Sequence, residues 1–244
     1  DQDFSTKNQY YVIQKQEQNM LSEELNIKAV TYNNYKWLFG AFGFYQGIDN
    51  EVNMDYKLQR MSTYKVYDSP TYGFALYHQS TIDKLFTDAL SLTLGIRYDW
   101  EQAHTDYKAY RSMNDTTGMT DSFKSKLTFR QLTPKATLQY SFSGNQLLYA
   151  TVSKGYKSGG FNTSFERDED RSFEPEYSWN YEAGTKLNFW QNRIKTELSL
   201  FYIDWRNQQI YQPLPSGKGS MLKNAGRSES KGIEFALQAN VCNG

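Results

Sequence analysis

Apolar and polar side chains alternate with a period of two along most of the chain. Leu90, Leu92, Leu94, Ile96, Tyr98 and Trp100 share one face, and Ser91, Thr93, Gly95, Arg97 and Asp99 the other. Strict alternation over that length is the signature of a β-strand with one apolar and one polar face. The same pattern returns in Leu132, Pro134, Ala136, Leu138, Tyr140 and Phe142, then in Leu148, Ala150 and Val152. Trp179, Tyr181, Ala183, Thr185, Leu187 and Phe189 repeat it, and Ile233, Phe235, Leu237 and Ala239 close the series. No segment of comparable length carries an i, i+3, i+4, i+7 stripe, so the chain is all-β. Roughly nine strands are expected, from near Leu25 to near Val241, with Asp1 to Glu24 as the tail of a long loop.

Turn-forming residues punctuate the strands at Asn33-Asn34, Thr87-Asp88, Ser143-Gly144-Asn145 and Gln191-Asn192. Between these tight turns the pattern predicts long connections at Gly47–Thr71, Ala103–Thr128, Ser158–Pro175 and Asn207–Ser220. Short and long connections alternate, which in an antiparallel meander puts all tight turns at one end and all long loops at the other.

Alternation alone does not separate a soluble sandwich from a membrane barrel, because either hides its apolar face from water. Strand length does. Sandwich strands average about five or six residues, whereas about eleven residues at about 3.3 Å each, tilted by about 45°, cross about 25 Å, the height of an outer-membrane apolar band. Aromatic residues gather at both ends of that band. Tyr98, Trp100, Trp179, Tyr181, Tyr202 and Trp205 lie toward the long loops, and Tyr35, Trp37, Tyr140, Phe142, Phe189 and Trp190 toward the tight turns. Such girdles suit rings that bury a body and hydrate a tip. Arg97 and Lys135 would each cost about 2–4 kcal/mol if they faced lipid at mid-bilayer, so their face lines the lumen. The expected fold is an antiparallel up-and-down transmembrane β-barrel, of which residues 1–244 form a part.

Composition sharpens this reading. The 244 residues hold 27 Lys plus Arg and 27 Asp plus Glu, a net charge of zero that offers no basic field for nucleic acid. Aromatic residues make up 16% of the chain, with 20 Tyr and 15 Phe. Mean hydropathy is nonetheless negative, as expected where half of each strand faces a wet bore. No run of about 18 apolar residues offers a membrane helix, and Asp1-Gln2-Asp3 does not resemble a signal peptide. Cys242 has no second thiol to pair with, and two histidines, His78 and His104, are too few for a catalytic relay or a His-rich metal centre. No cofactor, metal centre or enzymatic activity is expected.

Several constellations invite sharper readings. The run Lys154-Gly-Tyr-Lys-Ser-Gly-Gly lacks the Gly-x-x-x-x-Gly-Lys-Ser spacing of a phosphate-cradling loop. Its glycines suit a strand leaving the wall, with Lys154 and Lys157 reaching lipid headgroup or lipopolysaccharide phosphate. Glu166-Arg-Asp-Glu-Asp-Arg171 offers hard oxygens but lacks the glycine and closing Glu of a calcium loop, so a solvated mixed-charge loop is expected. Glu182 and Glu234 sit mid-strand on the polar face with no nucleophile beside them, and are expected to pair with lumen cations such as Lys186 or Arg97. Met54, Met61, Met113, Met119 and Met221 fall in or beside long loops, as soft ligand contacts or as loop filler.

From Tyr149 to Asn162 the chain reads Tyr-Ala-Thr-Val-Ser-Lys-Gly-Tyr-Lys-Ser-Gly-Gly-Phe-Asn. Phe173-Glu-Pro-Glu, Asn180-Tyr-Glu-Ala-Gly-Thr-Lys-Leu, Asn224-Ala-Gly and Lys231-Gly-Ile-Glu follow. This ordered set resembles the barrel domain of TonB-dependent outer-membrane receptors. Ser22-Glu-Glu-Leu-Asn-Ile resembles that family's Gln-Glu-Leu-Arg-Leu strand, with Glu23 in place of Gln and Asn26 in place of Arg. The resemblance implies a portion of a 22-stranded barrel whose plug domain and terminal strands lie outside this sequence. It also implies the outer membrane of a Gram-negative bacterium, a ferric siderophore or similar solute as cargo, and the TonB complex as partner through the plug. A passive channel and a soluble or cell-surface β-rich binding module are the rival readings. The long-loop end is the expected binding surface. Its candidates are Arg60, Tyr64, Tyr67, Tyr107, Tyr110, Arg111, Phe161, Phe165, Arg167, Arg171 and Tyr211, which can stack on and pair with an anionic or aromatic solute.

Overall fold

The computed structural model describes residues 10–114, 116–142, 146–217 and 219–240. The expected turn at Ser143-Gly144-Asn145, the first residues Asp1-Gln2-Asp3, Val241 and Cys242 lie outside them. Strands β1 (Tyr10–Tyr32), β2 (Tyr35–Tyr56), β3 (Met61–Asp68), β4 (Thr71–Ile82), β5 (Leu90–Met113) and β6 (Thr116–Ser141) come first. Next are β7 (Leu147–Lys157), β8 (Gly160–Phe161), a 3-10 turn (Asp168–Asp170), β9 (Ser172–Phe173) and β10 (Glu176–Phe189). The last are β11 (Ile194–Arg206), β12 (Gln209–Pro213), β13 (Ser220–Asn224) and β14 (Arg227–Ala239).

Ten strands form one sheet in the order β1-β2-β3-β5-β6-β7-β10-β11-β14, with β4 also pairing with β2 and β5. Two small sheets, β8-β9 and β12-β13, lie in the connections. Both β3 and β4 pair with β2 and β5, so they are one crossing interrupted at Ser69-Pro70. Pro70 has no N–H to give the ladder, yet its carbonyl still accepts from His104 N at 2.9 Å, and Ser69 N donates to Ile48 O at 2.9 Å. Counted as crossings, the described strands match the expected nine. Two of the four long connections do not stand. Gly47–Thr71 and Ala103–Thr128 are mostly strand, and β1 begins at Tyr10 rather than near Leu25. The other two, Ser158–Pro175 and Asn207–Ser220, are loops carrying the small sheets, the second running on through β13 to Gly226.

The chain divides into two compact units. One comprises Asp1–Glu23, Phe42–Phe74 and Trp100–Phe129, the other Glu24–Ala41, Ala75–Asp99 and Arg130–Gly244.

In the second unit the antiparallel registers place Ala150, Ala183, Leu200 and Ile233 in one cross-strand row, and Val152, Tyr181, Tyr202 and Lys231 in the next. The apolar face is not covered by a second layer. Leu200 is 51%, Phe235 66% and Ile233 70% exposed. Side chains of this size in a contiguous uncovered band require a non-aqueous surrounding, and the sandwich alternative would have tucked them between sheets. A shallow groove of about 570 Å³ runs along this face, lined among others by Ala136, Ala150, Ala183, Leu138 and Leu200.

On the opposite face, rings lie over cross-strand glycines: Tyr77 over Gly40, Tyr149 over Gly184 and Phe201 over Gly232. A Cβ on Gly184 would stand 2.7 Å from the Tyr149 ring and from Leu198 O, so only glycine lets the ring lie against the wall.

The first unit has its own interior. Tyr67 and Tyr107, register partners across β3 and β5, are each 3% exposed with ring centroids 4.9 Å apart, and Phe123 stands 5.1 Å from Tyr107. Ala103, Thr105 and Ala109 are buried on the same side of β5 as Tyr107.

Candidate ligand-binding surface

In the second unit the loop between β7 and β10 and the loop between β11 and β14 are stitched together by side-chain amides. Asn162, buried, donates through Nδ2 to Asp170 O and to Leu222 O, both at 2.9 Å, and accepts from Leu222 N at 2.8 Å. Asn224 accepts from Glu174 N at 2.7 Å and donates to Glu174 O at 2.8 Å and Asn207 O at 2.9 Å. Gln209 Nε2 donates to Ser158 O at 2.8 Å and Glu174 O at 3.1 Å, and its backbone N donates to Glu176 Oε2 at 2.7 Å. A small apolar patch of buried Leu214 and Met221 belongs to the second loop.

Charge supports the same seam. The buried Asp170 carboxylate accepts from Arg167 Nε at 2.8 Å and meets Lys223 Nζ at 3.2 Å. The Arg167 hydrogen bond, aided by Lys223 and opposed by burial, holds its carboxyl below the usual range. Arg167 also pairs with Glu169 at 2.7 Å, and Arg171 pairs with Asp168 at 2.9 Å while lying 5.5 Å over the Phe165 ring. Beside the loop, Asp204 is held down by its Arg227 hydrogen bond, with Arg206 adding to it.

The candidate residues therefore fall into distinct surroundings. Phe161 lies in β8 opposite Ser172, and Tyr211 in β12 opposite Leu222, its side chain 76% exposed. Phe165, Arg167 and Arg171 cluster around the 3-10 turn. In the first unit Arg60 occupies the tight turn after β2 with φ 46°, and Arg111 pairs in register with Thr63. Tyr64 and Tyr110 stand 6.4 Å apart on one face. Tyr67 and Tyr107 are interior to that unit, and burial raises the Tyr67 phenol above its ordinary value. Asp106 is held down by Lys124 at 2.7 Å.

Sequence reasoning singled out the aromatic and arginine residues but not Asn162, Gln209, Lys223 or Asp170 as a seam. Asn162, Glu174, Glu176 and Asn224 were visible only as members of the motifs that carry the family resemblance.

The polar face of the second unit satisfies itself differently from expectation. Tyr149 OH donates to Glu182 at 2.5 Å, Lys186 pairs with its register partner Glu197 at 3.1 Å, and Arg97 pairs with Asp99 at 2.8 Å. Glu182 thus takes a phenol rather than Lys186 or Arg97, because register and same-face spacing give each cation a nearer carboxylate. Arg97 also lies 5.5 Å over the Tyr77 ring, whose hydroxyl donates to Glu24 and to Asn26. Among the described residues, no three His, Cys, Asp or Glu side chains gather as a metal site.

Residues 1–241 match the family model described as TonB dependent receptor-like, beta-barrel. The chain belongs to that family. Its members are transport receptors of the Gram-negative outer membrane, not enzymes, and the uncovered apolar band of the second unit is the lipid-facing surface of such a wall.

The chain is 25% identical over 213 residues to the pesticin receptor of Yersinia pestis, covering 86% of this chain and 30% of that protein. It is 30% identical over 170 residues to the metal-pseudopaline receptor CntO of Pseudomonas aeruginosa, covering 69% and 22%. In fold it is similar to the ferric yersiniabactin uptake receptor FyuA from Yersinia pestis, with TM-score 0.77, 21% identity and coverage of 97% and 35%. The copper transporter OprC gives TM-score 0.67 at 11% identity, with coverage of 94% and 37%. The chain spans less than a third of the curated relatives it matches.

Proposed function

We propose that this chain is the wall segment of a larger barrel in a receptor that imports a scarce chelated metal, a ferric siderophore or comparable complex, with energy delivered through TonB. The observation that carries this reading is the family match along the chain, joined to relatives named as receptors, one of them for a metal chelate. The loop-end residues Phe161, Phe165, Arg167, Arg171 and Tyr211, with Arg60, Tyr64, Tyr110 and Arg111, are the proposed contacts for the chelate. Tyr67 and Tyr107 are proposed to set the shape of their unit from within. Outer-leaflet lipid and lipopolysaccharide are the proposed surroundings of the wall, with Lys154 at headgroup height, its ammonium 5.1 Å over the Tyr177 ring.

The test is uptake of labelled iron, supplied as ferric yersiniabactin and as the metal–pseudopaline complex, by cells with and without the gene. Uptake that needs the gene and collapses when TonB is deleted supports the reading. Gene-dependent uptake that ignores TonB makes the protein a passive channel and refutes it.

A further inference from the structure

We propose that Asn162, Gln209 and Asn224 are positioning residues that lock the two outer loops of the second unit into a single body, so that neither loop opens without the other. The coupling stands on the geometry alone. Its consequence for solute capture rests on the receptor reading above.

The argument starts from where backbone groups find partners. Neither loop has enough regular structure to satisfy its own amides, since β8-β9 and β12-β13 supply only short ladders. Leu222 N and O are both taken by one side chain, Asn162, which belongs to the other loop. Glu174 N and O are likewise both taken by Asn224, again across the seam. A side-chain amide that pairs with both backbone groups of one residue acts as a strand would, and gives up a donor and an acceptor together if it leaves.

Gln209 closes the base of the seam by joining Ser158, where β7 ends, to Glu174, just before β10. Its amide orientation is fixed, because Nε2 faces two carbonyls. That leaves Oε1 buried with no partner among the described residues, a cost of about 1–3 kcal/mol that the surrounding bonds must outweigh. The ion pair of Asp170 with Lys223 and the bond from Ser216 N to Glu166 Oε1 at 3.3 Å cross the same seam nearer the tip.

Charge distribution explains why the loops attract. The first loop holds Glu166, Asp168, Glu169, Asp170 and Glu174 against Arg167 and Arg171, whereas the second holds Lys218 and Lys223 and no acid. Each loop alone is unbalanced, and together they approach neutrality.

The motifs Phe161-Asn162, Phe173-Glu-Pro-Glu and Asn224-Ala-Gly thereby acquire one shared task. Phe161 and Phe165 on one loop and Tyr211 on the other are then presented with a fixed spacing, which reduces the ordering a ligand must impose.

Hydrogen exchange on the intact outer-membrane protein tests this. Asn224→Asp removes both Nδ2 donations and sets a carboxylate against Glu174 O and Asn207 O, at nearly constant shape. Exchange should rise about tenfold or more in residues 219–226 and by a comparable factor in residues 160–172 of the other loop. Asn162→Asp should produce the reciprocal pattern. Heat-modifiable migration and exchange across β10 and β11 should stay as in the unaltered protein, which separates uncoupling from misfolding. Should the barrel be lost in one variant, Gln209→Glu, set against the Ser158 and Glu174 carbonyls, reads out the same coupling. Acceleration confined to the mutated loop overturns the proposal. Cross-loop acceleration combined with undiminished ferric yersiniabactin uptake, in a protein that carries that uptake, overturns the positioning role. Absence of uptake in the unaltered protein refutes the receptor reading and leaves the exchange result to decide the coupling by itself.

Discussion

A single-residue step in register should separate lipid from water along β11. Leu198 lies midway between Ile194, at the tight turn, and Tyr202, in the outer girdle. Its cross-strand neighbours are Thr185 and Phe235. Four residues from either boundary, at about 3.3 Å each and tilted by about 45°, put it roughly 9 Å from each girdle, close to mid-bilayer. Leu198→Arg therefore places a guanidinium in hydrocarbon at a cost of about 2–4 kcal/mol, roughly 30- to 700-fold in the folding equilibrium. Ser199 points the other way, in register with Gly184 and Glu234. Ser199→Arg meets water and a carboxylate, and should change stability by less than about 1 kcal/mol. The assay is reversible denaturant titration of the intact barrel in phospholipid vesicles, followed by tryptophan fluorescence. Equal losses at both positions, or a larger loss at Ser199, would refute the assignment of faces on which the barrel reading depends.

Three further outcomes follow from named contacts. Gly184→Ala should destabilise by about 1–3 kcal/mol, because the new Cβ meets Leu198 O, a backbone atom, and not only the Tyr149 ring; the same titration measures it. Tyr149→Phe leaves the exposed Glu182 carboxylate without its phenol donor and should cost about 0.5–1.5 kcal/mol, with Glu182→Gln in the Tyr149→Phe background recovering part of the loss. Asp170 has its carboxyl held below the ordinary value by Arg167 and Lys223, so its contribution is complete above about pH 3.9 and disappears as pH falls through the depressed folded value. Loop amide protection should thus be level from neutral pH down to that point and fall beneath it, a dependence that Asp170→Asn abolishes.

Strands inside the apolar band were legible because a membrane wall holds one face mostly apolar and the other mostly polar, and departures such as Lys231 on the first or Phe201 on the second are too few to break the alternation. The extension of β5 through Met113 was not, and the reason is physical. Up to Trp100 the even positions are the greasy ones. Beyond it Gln102, His104, Asp106 and Lys108 occupy them, while Ala103, Thr105, Tyr107 and Ala109 on the odd side become buried. A template that fixes the apolar side reads this inversion as the end of a strand, although the backbone continues its ladder. The inversion marks where the outward face stops meeting lipid and the inward face starts packing on neighbouring side chains. The loop seam was illegible for another reason: Asn and Gln bonding to distant backbone leaves no periodicity, so position along the chain carries no trace of which carbonyl lies opposite.

These contacts also redistribute the chemistry expected of the long-loop end. Arg167 and Arg171 were expected to meet an anionic solute, yet each already holds a carboxylate of its own loop, at 2.7–2.9 Å. An anionic ligand reaching either must displace that partner, and the exchange of one charge-assisted bond for another returns little net free energy. Arg60 and Arg111, by contrast, have no ion pair among the described residues. On the proposed binding role, direct charge recognition therefore falls to Arg60 and Arg111. In the second unit Tyr211 is exposed and the Phe165 ring is held against the Arg171 guanidinium, so the role proposed for these two residues is stacking. On this division Arg60→Ala and Arg111→Ala weaken capture of an anionic chelate in a salt-dependent way, whereas Tyr211→Ala weakens it equally at low and high ionic strength. Binding titrations of ferric yersiniabactin at two salt concentrations distinguish the two classes, and a salt-dependent loss at Tyr211 would contradict the assignment.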